Sequence, residues 1–133
     1  MLNLLIGSAL IFMDTTIPIL VVEDSSTMSR IISTALQKLG FNDIDMAHDG
    51  QSALDQLRQK KYGLILSDWE MQPVGGDQFL REVRTDPANG NIPVVVITGQ
   101  SSRGAAWLAG AKAFLGKPFS DRDLKKAIKL ALE

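Results

Sequence analysis

Five polar side chains stand at or just beyond the ends of apolar segments in this sequence. If these segments are parallel strands of one open sheet, their carboxyl ends meet at a single edge, where ligands bind in such sheets. A charge at the end of a buried segment is also costly unless another group compensates for it. The sequence therefore predicts that three carboxylates, a hydroxyl and an ammonium converge there: Glu23, Asp24, Asp68, Thr98 and Lys117.

These residue types suit a divalent cation and a phosphoryl group. Clustered carboxylates repel one another, and Mg²⁺, which takes a few carboxylates plus waters and phosphate oxygens, removes that repulsion and neutralises a transferring phosphoryl group. Lys117 offers a positive charge to a phosphate oxygen, and Thr98 offers a hydroxyl donor. Asp68 can itself act as the nucleophile and form an acyl phosphate. Any one of the five alone could be a solvated loop residue, but the whole set at strand ends favours a site.

The segments that must position these side chains alternate between apolar runs and amphipathic stretches. Continuous apolar runs indicate strands buried on both faces and hence a parallel sheet, and apolar residues at helical spacing indicate helices between them. Right-handed crossovers then give a doubly wound α/β sandwich of three layers. We predict strands at 17–22, 43–47, 64–67, 92–97 and 113–115, and helices from the capping residues at 24–26 to Gly40, from Gly50 through Leu57, and at 76–84, 102–108 and 120–132.

Composition narrows the class of protein. The chain has 133 residues, 45% of them hydrophobic and 22% charged, as expected for one globular domain. Its formal net charge of -1 lacks the basic footprint of a nucleic-acid-binding protein. Because there is no cysteine and a single histidine, we expect no disulfide, thiolate metal site or zinc site. The lack of cysteine agrees with a cytoplasmic location.

The segment at 1–12, MLNLLIGSALIF, is almost wholly apolar. It is too short to span a bilayer, which takes roughly 20 residues, and no Lys or Arg precedes it as in a secretory signal. Three interpretations stay open: a helix that packs on this domain or on a partner, an extension of little role before a domain that starts near Met13, and a membrane or export signal. We expect a helical extension at 1–15, through which the chain could form a homodimer, and one domain at 16–133 with no output domain after it.

Five stretches of the sequence form a recognisable set: ILVVEDSSTMSRIISTALQKLGF, HDGQSAL, LILSDWEM, IPVVVITG and LGKPF. The region they define, residues 17–133, resembles the receiver domain of two-component response regulators. The chain length and the STM and SDW-x-M segments are most similar to stand-alone, CheY-like members of the chemotaxis type. The resemblance implies a flavodoxin-like five-stranded parallel sheet with strand order 2-1-3-4-5.

The resemblance also implies a role for each residue of the site. A sensor histidine kinase or phosphotransfer protein would donate a phosphoryl group, and the surface of the fourth helix, fifth strand and fifth helix would then change its affinity for a downstream protein. We expect such a module not to be an enzyme, not to bind nucleic acid and not to span a membrane. The matches are Asp68 for the phosphoryl acceptor; Glu23 and Asp24, with Asp68 and the backbone carbonyl of Glu70, for the Mg²⁺ ligands; Thr98, Lys117 and Phe114 for phosphoryl binding and switching; and Met71 and Gly76 for the loop after the acceptor.

Three departures from the family pattern stand out. The proline expected four residues after the acceptor is displaced, because Gln72 stands there and Pro73 follows. Glu70 adds a carboxylate beside the phosphoryl site, which we expect to alter metal affinity or the lifetime of the phosphorylated form. The stretch from Thr98 to Lys117 is short by about one helical turn, or roughly 3.6 residues, so we expect a stunted fourth helix.

Two other functions compete with a phosphorylation switch. A hydrolase with an aspartyl nucleophile, similar to the haloacid dehalogenase family, would need a second aspartate two residues after the first, where this chain has Glu70. A receiver-like scaffold that is no longer phosphorylated would agree with the displaced Pro73 and the short fourth helix. The missing second aspartate argues against the hydrolase, and the complete set of five polar residues argues against the scaffold.

Overall fold

The computed structural model describes residues 13–71, 74–99 and 103–133, apart from the side chains of Arg103 and Leu108. Five strands alternate with five helices, as the sequence predicts. The elements are β1 (Ile19–Val22), α1 (Ser26–Lys38), β2 (Ile44–Ala47), α2 (Gly50–Gln59), β3 (Leu64–Asp68), α3 (Gly76–Thr85), β4 (Val94–Thr98), α4 (Arg103–Ala109), β5 (Ala113–Gly116) and α5 (Asp121–Leu132).

All five strands pair in parallel in the order β2-β1-β3-β4-β5, which confirms the predicted fold class and strand order. The chain reverses its direction across the sheet between β1 and β3. Val22 on β1 lies beside Ser67 on β3, so both strands end at almost the same level. A crevice forms beyond the carboxyl ends of such strands, and this reversal point is where it opens.

The sheet separates two hydrophobic cores. Along β1, Ile19 and Val21 point into one core, while Leu20 and Val22 point into the other. The first core also contains side chains of α1 and α5, and the second contains those of α2, α3 and α4. Each fully buried Val, Leu or Ile contributes roughly 1.5–3 kcal/mol, so the strands are held from both faces and their ends are fixed.

Helix ends follow the capping signals of the sequence. The side chain of Ser25 accepts a hydrogen bond from the Met28 N–H and so begins α1 directly after the two acidic residues that follow β1. Gly40 has a φ of 104°, which glycine adopts without the steric penalty of a Cβ, and it ends α1 as predicted. A capping box between Ser120 and Asp123 begins α5.

The fourth helix is the shortest of the five, with 7 residues against 10 to 13 in the others. The 7 described residues agree with the expectation of a stunted α4, and the predicted start at 102 lies outside the described part of the chain. Residues 100–102 lie outside the described part of the chain, as do Gln72 and Pro73, so the path of the displaced proline stays a prediction.

Most of the predicted N-terminal extension, residues 1–12, also lies outside the described residues. The remaining part, residues 13–15, is not helical, and the prediction of a helix is wrong for it. Asp14 instead accepts hydrogen bonds from the N–H and the hydroxyl of Thr16, which form a turn before β1. Within the described ranges, none of the helices has the length and hydropathy that crossing a membrane requires.

Candidate functional site

Three carboxylates meet where β1 and β3 end. Glu23 and Asp24 follow β1, and Asp68 is the last residue of β3. Backbone hydrogen bonds hold both ends in place, because the Glu23 N–H donates to a carbonyl of β2 over 2.9 Å and the Trp69 N–H donates to Ile97 over 3.0 Å. Carboxylate oxygens of the three acids lie within 4.8 Å of one another. The topology thus brings together groups that the sequence places 44 residues apart (68 minus 24).

Glu23 is the least solvated of the three acids, with 1% of its surface exposed. Its Oε2 accepts a hydrogen bond from the Ser25 N–H at 3.1 Å, whereas its Oε1 is buried and finds no hydrogen-bond partner among the described residues. Burial raises the pKa of Glu23 to about 7; the charges of Asp68 and Asp24 add to this effect, and the Ser25 hydrogen bond and Lys117 oppose it. A buried carboxylate oxygen of this kind needs a partner that brings positive charge.

Lys117 supplies part of that charge from the end of β5. Its Nζ lies 3.0 Å from Oδ1 of Asp68, and its backbone N–H donates to the Thr98 carbonyl over 3.2 Å. Although burial alone would lower the pKa of Lys117, the hydrogen bond and charge of Asp68, with the charges of Glu23 and Glu70, raise it. The ammonium therefore stays protonated beside the carboxylates. The peptide bond between Lys117 and Pro118 is cis.

Thr98, the last residue of β4, is fully buried, and its hydroxyl donates to Oε2 of Glu70 over 3.1 Å. The backbone N–H of Glu70 in turn donates to Oδ1 of Asp68 at 3.3 Å. The sequence placed Glu70 near the phosphoryl site but gave no indication that its side chain binds Thr98. The two residues are 28 positions apart, and only the pairing of β3 with β4 brings them together.

The loop after Asp68 returns closely onto the end of β3. The Gly76 N–H donates to the Trp69 carbonyl over 3.0 Å, and Met71 is 3% exposed. A Cβ at Gly76 would lie 2.5 Å from the Asp68 carbonyl oxygen and 2.7 Å from Cα of Trp69, which are both backbone atoms. Only glycine fits at this position, and it sets where α3 begins relative to Asp68.

Phe114 does not join the polar cluster. It lies on β5 in register with Val96, two positions before the level of Thr98, and is half-buried against the second core. Its ring lies 6.2 Å from that of Trp107 on α4, with an angle of 43° between the planes, and Trp107 is 61% exposed. The two rings therefore connect the end of the short α4 with β5.

The donor set of the cluster fits a hard divalent cation. Three acids face a single ammonium, so negative charge is in excess when they are ionised, and a buried oxygen of Glu23 finds no hydrogen-bond partner in the described part of the chain. All the candidate ligands are oxygen atoms, as Mg²⁺ prefers, and the chain has no thiolate and a single histidine to attract softer metals. The exposed Asp24 leaves one side of the cluster accessible to water.

Comparison with known proteins identifies the family that this chain matches. Residues 19–129 match the family model of the response regulator receiver domain. Chemotaxis protein CheY-3 of Vibrio cholerae is 35% identical over 113 residues, which cover 83% of this chain and 87% of that protein. Chemotaxis protein CheY of Pseudomonas aeruginosa is 36% identical over 118 residues, which cover 86% and 95%.

Solved structures with the same architecture include two of similar size. Chemotaxis protein CheY4 of Vibrio cholerae superposes with a TM-score of 0.81 at 28% identity, covering 88% of this chain and 99% of that one. The receiver domain of the sensor histidine kinase PA1611 from Pseudomonas aeruginosa, which has a magnesium ion coordinated in its active-site cleft, gives 0.80 at 26% identity, covering 88% and 98%. This chain belongs to the response regulator receiver domain family and is a CheY-like member of it.

Proposed function

We propose that this chain is a stand-alone receiver whose Asp68 accepts a phosphoryl group from a sensor histidine kinase or a phosphotransfer protein. The observation that carries the proposal is the position of Asp68, which lies within one cluster with Glu23 and Asp24 and 3.0 Å from the Lys117 ammonium. These groups have the charges that in-line transfer of a phosphoryl group to a carboxylate requires.

Mg²⁺ would be held by Glu23, Asp24, Asp68 and the backbone carbonyl of Glu70. When bound, it would neutralise the charge on the phosphoryl oxygens. An Asp68 carboxylate oxygen attacks phosphorus, the bond from phosphorus to the donor nitrogen breaks, and its electron pair stays on the donor imidazole. Lys117 binds a phosphoryl oxygen as a point charge, and the buried position of Asp68, 2% exposed, limits the access of water to the acyl phosphate.

Phosphorylation then shifts the population between two states of the domain. The hydroxyl of Thr98 turns to a phosphoryl oxygen, and Phe114 moves into the space that this change opens. A groove of about 370 Å³ lies beside Phe114 on the face formed by β5 and α5, with Pro118, Lys126 and Leu130 in its lining. We expect the downstream protein to bind on this side, and a position of Phe114 that depends on phosphorylation would change its affinity.

The relatives support a biological setting for this switch. Two similar proteins are chemotaxis proteins, so a role in chemotaxis or motility is part of the proposal. The partners are then cytoplasmic proteins rather than nucleic acid. We further propose that residues 16–133 form the receiver domain and that residues 1–15 are an apolar extension through which two copies could associate.

Incubation with acetyl phosphate and Mg²⁺ tests the proposal and separates it from the two alternatives. A switch retains one phosphoryl group per chain and releases inorganic phosphate only as slowly as that group is lost. A hydrolase would release phosphate continuously from excess donor, and a scaffold would neither retain a phosphoryl group nor release phosphate. Release of phosphate from excess donor faster than the retained phosphoryl group is lost from the chain, or no retention, would each contradict the proposal. Asp68→Asn serves as the control that abolishes retention.

A further inference from the structure

The buried hydroxyl of Thr98 already has an acceptor when Asp68 carries no phosphoryl group. Thr98 is 0% exposed, so its hydroxyl needs a partner within the protein or a bound water. That partner is Oε2 of Glu70 at 3.1 Å, and the Glu70 backbone N–H donates to Oδ1 of Asp68 at 3.3 Å. One exposed glutamate thus contacts both the phosphoryl acceptor and the residue that should bind the phosphoryl group.

A threonine hydroxyl has one hydrogen to donate. It cannot donate fully to Glu70 and to a phosphoryl oxygen on Asp68 at the same time. Entry into the phosphorylated state therefore requires the Thr98 hydrogen to leave the Glu70 carboxylate. That carboxylate is a strong acceptor because it is charged, and after release it can turn to water, since Glu70 is exposed.

We propose that Glu70 is a latch for Thr98: its carboxylate competes with the phosphoryl group for the single hydroxyl hydrogen and so holds the domain in its resting state. The inference rests on the proposed function, because it needs a phosphoryl group on Asp68 as the competitor. Glu70 is a positioning residue, which acts through Thr98 rather than on the transferring group. Its negative charge would also repel the phosphoryl group, and the test must separate this effect from the hydrogen bond.

Affinity for beryllofluoride, which mimics a phosphoryl group on a carboxylate without being hydrolysed, measures the latch at equilibrium. The affinity is measured by calorimetry at saturating Mg²⁺, so that any effect of Glu70 on metal binding is removed. We expect Glu70→Ala to bind beryllofluoride about tenfold more tightly than wild type, a factor that corresponds to about 1.4 kcal/mol. Glu70→Gln keeps a neutral acceptor and should lie between the two.

A double-mutant cycle with Thr98→Val distinguishes the hydrogen bond from the charge. Thr98→Val lacks the donor, so adding Glu70→Ala to it should change the affinity by less than about twofold, the usual limit for independent sites. A purely electrostatic effect of Glu70 would persist in the Thr98→Val background and would overturn the latch. Glu82→Ala, which removes an exposed glutamate on α3, is the matched control and should leave the affinity unchanged.

The outcomes also separate the latch from the proposed function. If wild type binds beryllofluoride in a magnesium-dependent way but Glu70→Ala binds it equally or less tightly, the latch is wrong and the phosphorylation site stands. If neither wild type nor any variant binds it, the phosphorylation site itself is wrong and the latch falls with it. Tighter binding by Glu70→Ala that disappears in the Thr98→Val background supports both.

Discussion

The Lys117 ammonium lies 3.0 Å from Oδ1 of Asp68, although 49 residues separate the two in the sequence. Lys117 comes directly after β5, and Asp68 ends β3, with β4 between these strands in the sheet. The ion pair therefore spans the edge of the sheet and joins the segment after β5 to the end of β3. Asp68 is 3% exposed at its side chain, so the lysine is the main compensation for its charge before a cation binds.

Removing this ammonium should destabilise the domain when no divalent cation is present. Lys117→Met keeps much of the side-chain volume but leaves Asp68 buried beside Glu23 without its cation. We expect the free energy of unfolding to fall by about 1–3 kcal/mol at pH 7.5 with a chelator, since a buried carboxylate oxygen loses its hydrogen-bond donor. Urea unfolding measures this, with the exposed Lys112→Met as the control. Equal losses in both variants would show that the ion pair does not stabilise the fold.

The pKa of Glu23 predicts how stability depends on pH. Burial raises this pKa to about 7 in the folded protein, above its ordinary value of 4.5. The folded chain thus holds a proton between these pH values that the unfolded chain has lost. This proton stabilises the folded state fully below pH 4.5. The stabilisation, on the order of 3 kcal/mol, is lost as the pH rises from 4.5 to about 7.

Glu23→Gln isolates this effect because an amide does not titrate. With a chelator present, the difference in free energy of unfolding between wild type and Glu23→Gln is the quantity to follow. The stability of wild type relative to the variant should fall between pH 4.5 and 7 and level off above that range. Urea unfolding at several pH values measures the difference. Parallel pH profiles for the two proteins would mean that Glu23 is not a strained carboxylate, and its assignment as a cation ligand would lose its main support.

Two glycines give opposite expectations for the same substitution. A Cβ at Gly76 would lie 2.5 Å from the Asp68 carbonyl oxygen, so Gly76→Ala should destabilise the domain by about 1–3 kcal/mol and displace Asp68. Gly104 lies on α4, and a Cβ added there would meet no atom of the described residues within 4 Å, so Gly104→Ala should stabilise by about 0.5–1 kcal/mol. Thermal unfolding of both variants checks this pair, and a shift of the same sign in both would refute it.

Arg84 anchors the loops that flank α4 and β4. From α3, its guanidinium donates to the carbonyl of Gly110 over 3.0 and 2.7 Å, to Ile92 over 2.7 Å and to Gly90 over 3.2 Å. Arg84→Ala should lower the free energy of unfolding by about 3 kcal/mol, because several carbonyls lose a charged donor. The matched control is Arg81→Ala, which removes an exposed ion pair on α3 and should change stability by less than about 0.5 kcal/mol. Similar losses in the two variants would contradict the anchoring role.

The buried strands were predictable because both of their faces are apolar. In two of them, a proline explains why the observed start differs from the predicted one. The predicted strands at 17–22 and 92–97 each include a proline near the start, and the observed β1 and β4 begin one residue after it, at Ile19 and Val94. Proline has no N–H to donate, so only its carbonyl joins the ladder, as the hydrogen bond from Gly63 to Pro18 illustrates.

Side-chain contacts between distant segments were less predictable. The five polar residues could be placed at one edge because strand order and direction determine where strand ends lie. The hydrogen bonds from Thr98 to Glu70 and from Arg84 to three loop carbonyls depend on the rotamers that the long glutamate and arginine side chains adopt in the folded chain. Glu70 gave one signal, a carboxylate two residues after Asp68, but no pattern in the sequence indicated its partner.

The central claim is that Asp68 is phosphorylated in a site that depends on a divalent cation and on Lys117. Its most direct test is the intact mass of the chain after treatment with acetyl phosphate, with Mg²⁺ or with a chelator. We predict one added phosphoryl group on wild type with Mg²⁺, none with the chelator, and none on Asp68→Asn under either condition. An equal gain of mass by Asp68→Asn, or no gain by wild type at saturating Mg²⁺, would contradict the account.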